Sequence, residues 1–190
     1  MKTILSLMSI VLITVVLATS AGATLITLDT MLTPVSGTGS AASGTFTGTF
    51  DTVADTLAFS MAWTGLTTNL INAHIHLAPT IGANGPVLIP FFAPGGVETI
   101  TPTPPTLPLG VSGTLTESIL ITDATTLSEF LTGLSAGTLY VNLHTVNFPG
   151  GEIRGNFSPV ASTVPEPGTL ILLAGGIAAC IGASRFRKLS

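Results

Sequence analysis

All three histidines of this 190-residue chain fall in two short stretches. His74 and His76 lie in Asn72-Ala73-His74-Ile75-His76-Leu77, and His144 closes Leu139-Tyr140-Val141-Asn142-Leu143-His144. Imidazole nitrogens are ligands for zinc, copper, iron and nickel, and a His-x-His strand can supply two of them. Three such ligands with a water in the fourth place would form an open copper or zinc centre of the kind used in catalysis. A plainer role is also open: the rings can bond to loop backbone and to one another. Nearby stand Glu152 and Arg154, in Pro149-Gly150-Gly151-Glu152-Ile153-Arg154-Gly155. Arg154 is the only basic residue between Thr24 and Thr163, so it either neutralises a carboxylate or holds an anion.

Strands are the elements that would bring these groups together. Side chains alternate between the faces of a strand, so His74 and His76 share one face while Ala73, Ile75 and Leu77 share the other. In the second stretch Tyr140, Asn142 and His144 share a face, opposite Val141 and Leu143. If both apolar faces enter one core, the three histidines emerge together on an outer surface. Neighbouring strands about 4.8 Å apart would then bring the imidazoles within reach of one ion. Glu152 and Arg154 are expected on one strand face, as a local pair or in contact with the histidines.

The same alternation runs through the middle of the chain. Phe46 and Phe50 fall on one face of a Thr/Gly-rich run, and Leu57, Phe59, Met61 and Trp63 on one face of the next, with Val53-Ala54-Asp55 as a hairpin link. Pro90 pushes the run from Leu88 to Phe92 towards a sheet edge. Five prolines between Pro94 and Leu109 predict an extended surface loop. Val111 to Ile119 resumes strand alternation, and further strands are expected over Thr138–His144 and Glu152–Phe157. One short helix is predicted from Asp123, its N-cap, through Leu127, Phe130, Leu131 and Leu134, with Gly133 near its end.

Composition removes several functions. Between Thr24 and Thr163 one Arg faces eight acidic residues, a net charge of about −7 that repels nucleic acid. The single cysteine, Cys180, permits neither an intramolecular disulfide nor a cysteine metal knuckle. No nucleophile triad, P-loop or carboxylate pair is apparent, so no catalytic residue is assigned.

The termini read as addresses. Residues 1–23 have a signal peptide's pattern: Lys2, an apolar run from Ile4 to Leu17, and Ala21-Gly22-Ala23 as the cleavage site. At the other end, Val164-Pro165-Glu166-Pro167 precedes an uncharged run from Thr169 to Ser184, which predicts a transmembrane helix over 169–184. Arg185, Arg187 and Lys188 follow as a cytoplasmic stop. These three features in this order resemble the PEP-CTERM sorting signal of Gram-negative bacteria. The signal peptide makes signal peptidase an expected partner, and the resemblance implies an exosortase, with an inner-membrane intermediate between the two. It also implies delivery to the cell surface, outer membrane or exopolysaccharide matrix.

The two histidine stretches, with Asn84-Gly85-Pro86-Val87 and the Pro149–Gly155 run, resemble the CHRD (chordin) domain. It departs at Leu77-Ala78-Pro79, where the family commonly carries a glycine after the second histidine. The resemblance implies an all-β extracellular module without an established enzyme activity. The His-x-His strand is also weakly similar to the copper strand of copper/zinc superoxide dismutases. Those enzymes need a further copper histidine, a zinc loop and a disulfide, none of which is evident here.

The expected fold is all-β: an antiparallel, Greek-key-like sandwich or barrel of seven or eight strands with one short helix, over residues 24–158. An N-terminal signal helix precedes it. A linker at 159–163 joins it to the sorting signal, 164–190. The expected role is structural, adhesive or binding, towards an extracellular polysaccharide or surface protein. The alternative is a copper or zinc module using His74, His76 and His144, supported by Asn142, Glu152 and Arg154.

Overall fold

Inward-facing Leu and Phe on alternate positions give the chain an antiparallel sheet. The computed structural model describes residues 24–92, 98–101 and 105–160, which lie within one unit, Gly22–Val164. Its strands are β1 (Leu25–Pro34), β2 (Ser43–Asp51), β3 (Thr56–Thr64), β4 (Leu70–Leu77), β5 (Val87–Pro90), β6 (Glu98–Thr101), β7 (Gly113–Ile121), β8 (Leu139–Thr145) and β9 (Ile153–Asn156). A single helix, α1 (Ala124–Ala136), lies between β7 and β8. All strands join one sheet in the order β5-β4-β8-β9-β1-β2-β3-β7-β6, and every pairing is antiparallel. The all-β architecture follows the sequence, and the sheet curls into a half-barrel.

The curl brings the two wings of the sheet face to face. Phe46 of β2 stacks on Phe59 of β3 at 5.1 Å between ring centroids, and Phe59 meets Phe91, just past β5, at 4.6 Å. Phe157, just past β9, meets Phe46 edge-on at 5.3 Å. Phe46 and Phe91 are fully buried, and each such ring contributes roughly 1.5–3 kcal/mol through burial. These rings, with Ala73, Ile75, Val141 and Leu143 from β4 and β8, fix which face of the histidine strands turns inward.

Several boundaries differ from the sequence reading. Nine strands are present among the described residues rather than seven or eight. One of them, β6, occupies the proline-rich segment expected to be loop; Glu98–Thr101 contains no proline itself and pairs with β7 at the sheet edge. Pro90 does end an edge strand. The helix has its expected N-cap, with Thr126 N–H donating to Asp123 Oδ2 at 2.7 Å, but it does not stop at Gly133. It continues to Ala136, and Gly137 ends it in the left-handed conformation at φ 68°. Gly133 instead lies where a methyl group would meet Leu139 at 2.6 Å and Leu77 at 2.8 Å, so its lack of a side chain lets the helix lie close to the sheet. The linker begins in order: Val160 N–H bonds to Leu134 C=O at 3.1 Å. The signal helix over 1–23, the rest of the linker and the transmembrane helix over 169–184 lie outside the described residues. Among the described residues no helix is long and apolar enough to cross a membrane.

Candidate metal centre

Strand register sets the site. Along β4 and β8, His76 lies opposite Tyr140, His74 opposite Asn142, and Asn72 opposite His144. Because Ala73, Ile75, Val141 and Leu143 point into the core, all three imidazoles share the other face. One ligand nitrogen from each lies within 4.8 Å of the others, and among the described residues no carboxylate joins the group. Ring centroids are 4.9 Å apart for His74 and His144, 5.4 Å for His74 and His76, and 5.6 Å for His76 and His144.

The expected outer surface is not what the chain builds. His76 and His144 are only 7% and 8% exposed. Two loops fold over the histidine face and bring backbone carbonyls to it. Gly85 C=O accepts from His76 Nδ1 at 3.0 Å, and Pro149 C=O accepts from His144 Nδ1 at 2.9 Å. A carbonyl only accepts, so both rings carry their proton on Nδ1 and present a lone pair at Nε2. His144 Nε2 meets His74 Nδ1 at 3.2 Å. His76 Nε2 is buried and has no hydrogen-bond partner.

All three rings are held neutral. Burial pushes the His74 pKa down to about 4, assisted by the neighbouring His144 and His76. Burial also lowers His76 and His144, against the opposing effect of the carbonyls at their Nδ1 positions, and Arg154 lowers His76 further. Neutral imidazole is the form that binds metal, and an Nδ1–H donated to a carbonyl is the usual way of fixing a ligating ring. The donor set therefore fits a copper or zinc ion.

The supporting residues divide. Asn142 lies on the histidine face, its Nδ2 donating to Gly150 C=O at 3.1 Å and its Oδ1 buried without a partner. Gly151, at φ 118°, runs so close to this amide that a methyl group there would collide with it. Glu152 and Arg154 form neither the local pair nor the histidine contact expected of them. Glu152 is fully buried just before β9 and is saturated by Ser40 Oγ at 2.6 Å, Thr67 N–H at 2.8 Å, Thr67 Oγ1 at 2.9 Å and Thr145 Oγ1 at 2.7 Å. Burial alone would raise its pKa; these hydrogen bonds more than offset that and hold it below the ordinary value. Its role is to clasp three loops.

Arg154 turns the other way. It donates to Asn84 Oδ1 at 3.0 Å and to Ala83 C=O at 3.1 Å, and its guanidinium lies 3.8 Å over the Tyr140 ring. Tyr140 stacks in turn on His76 at 4.9 Å, with the planes 10° apart. Sequence reasoning missed Tyr140 and the carbonyls of Gly85 and Pro149 as parts of the site. The signal for Tyr140 was its shared strand face with His144; that for the two carbonyls was only turn chemistry, Asn84-Gly85-Pro86 and Pro149-Gly150-Gly151, flanking strands that carry histidine. The sorting residues Val164, Pro165, Glu166 and Pro167, the basic Arg185, Arg187 and Lys188, and the cleavage residues Ala21 and Ala23 lie outside the described residues.

Comparison with known families agrees with both resemblances. A PEP-CTERM protein-sorting motif matches residues 163–188. It implies processing by an exosortase and supports export and sorting to the cell surface. Comparison with the curated proteins and with the solved structures finds no significant match. A CHRD domain matches residues 20–157, well over half of the chain and the whole of the half-barrel. The chain belongs to the CHRD domain family.

Proposed function

We propose that this exported CHRD module binds one copper or zinc ion through His74, His76 and His144, and serves as a binding protein of the cell envelope or its polysaccharide matrix rather than as an enzyme. The observation that carries this reading is the lone pair of His76 Nε2. It is buried, has no partner and faces two further imidazoles held neutral by burial. Leaving a buried polar atom unsatisfied costs about 1–3 kcal/mol, and a bound ion removes that cost at a stroke. The ion would be held by nitrogens alone, since Glu152 is fully committed to Ser40, Thr67 and Thr145. Imidazole donors suit copper and zinc and do not suit calcium or magnesium.

Calorimetric titration of the full chain, purified in detergent and stripped of metal, tests this. Wild-type protein is expected to take up one copper or zinc ion per chain. The His74→Ala/His144→Ala variant is expected to lose at least a hundredfold in affinity. A wild-type protein that binds neither ion, or a variant that binds as tightly as wild type, overturns the reading.

A further inference from the structure

Resting on that metal-binding reading, we infer that the site selects for copper in its monovalent state, and that Arg154 is a positioning residue that sets this preference through the Tyr140 ring. Two independent observations carry it.

The first is the donor set. Three neutral imidazoles converge without a carboxylate among the described residues, so no negative charge compensates a divalent ion. Three imidazoles hold zinc(II) only with a water completing its four-coordinate shell, whereas a singly charged copper(I) ion can be held by three nitrogens alone. Glu152, the carboxylate expected from sequence to support the site, accepts four hydrogen bonds from other groups instead.

The second is the stack. The guanidinium of Arg154 lies 3.8 Å over Tyr140, and the Tyr140 ring stacks nearly parallel on His76 with centroids 4.9 Å apart. A half-buried positive charge therefore stands within roughly 9 Å of a ligand ring, with the Tyr140 ring in contact with both. At an effective dielectric of about 20, that separation corresponds to about twentyfold in binding per unit charge on the ion, which the half-exposed position of the guanidinium reduces to about tenfold. A divalent ion bears this penalty twice and a monovalent ion once. Asn84, Ala83 and Asn156 hold the guanidinium in place, so the charge does not swing away into solvent. Because it is the only cation between Thr24 and Thr163, its placement beside the histidines is otherwise unexplained by ion pairing.

The test is a set of competition titrations on the full chain in detergent. Copper(I) is presented anaerobically against a copper(I) chelator, and copper(II) and zinc(II) against chelators of their own. The wild type is expected to bind copper(I) at least tenfold more tightly than either divalent ion. Arg154→Gln is expected to lower the copper(I)-over-copper(II) preference about tenfold, a fall of about 59 mV in the potential of the bound one-electron couple. Arg154→Lys, which keeps the charge, is expected to restore at least half of that shift, which a purely packing role would not do. Tighter binding of zinc(II) or copper(II) than copper(I) overturns this inference and leaves the metal site standing. An unchanged preference in Arg154→Gln overturns the role given to Arg154. Failure to bind any of the three ions overturns the metal reading itself and this inference with it.

Discussion

At the scale of single residues, the site is defined by where protons sit. Gly85 and Pro149 carbonyls fix the Nδ1–H of His76 and His144, and burial keeps all three rings neutral. This has a consequence for stability. The folded pKa of His74 is about 4, against 6.5 for an ordinary histidine, so between those values the unfolded chain binds a proton that the folded chain refuses. Stability is therefore complete above about pH 6.5 and is lost as the pH falls towards about 4. The Glu152 carboxylate, whose folded pKa is lowered, contributes its own loss only at lower pH, below the ordinary carboxylate value of 4.5. Thermal melts of the metal-free protein are expected to show a midpoint falling steadily between pH 6.5 and 4.5, with the slope reduced in His74→Gln. A flat profile over that range would show the rings to be protonated or exposed. The shared face of the three histidines was legible in the sequence, because strand periodicity alone sets it. Their burial was not, because it depends on two loops whose carbonyl contacts leave no residue-type signature beyond Gly and Pro.

At the scale of elements, local propensity and packing disagree at one informative place. Gly133 lies inside α1, where exchange for alanine would ordinarily stabilise a helix by about 1 kcal/mol. Here the added methyl would press on Leu139 and Leu77, both ends of the strands that carry the histidines. Overpacking costs about 1–3 kcal/mol, so Gly133→Ala is expected to destabilise by about 1 kcal/mol net, read as a lowered urea midpoint. A raised midpoint would mean that the helix stands off the sheet. This contact also explains why the end of the helix was misplaced from sequence: a glycine near a helix terminus suggests a stop, and only tertiary packing shows that Gly137 is the true cap. β1 was hard to read for a different reason. Its outward face carries Leu25 and Met31 while its inward face carries Leu28 and Leu32, so apolar residues on both sides blur the period of two. Strands β2 and β3 were plain because their outward positions are almost all Thr, Ser and Ala. Edge strand β6 was hidden by its flanking prolines.

At the scale of the whole molecule, the chain combines a CHRD half-barrel with a sorting motif, and the two make separable predictions. Exchange of Glu166 for Ala, or removal of residues 185–188, is expected to hold the protein in the inner membrane, seen by fractionation as loss of the surface-delivered form. Unchanged delivery would contradict the role of an exosortase. Metal binding by the half-barrel should survive either change, since the histidines, Gly85 and Pro149 all lie within residues 74–149. Under the metal-binding reading, three neutral imidazoles hold an ion while the loop carbonyls fix the tautomers of His76 and His144. Nitrogen-15 NMR of the histidine rings in the full chain, before and after one equivalent of zinc or copper(I), tests it most directly. Nε2 of His76 and His144 is expected to shift on addition of the ion while both Nδ1 atoms stay protonated; ring signals that do not move, or Nδ1 atoms that lose their protons to the metal, would overturn the metal site.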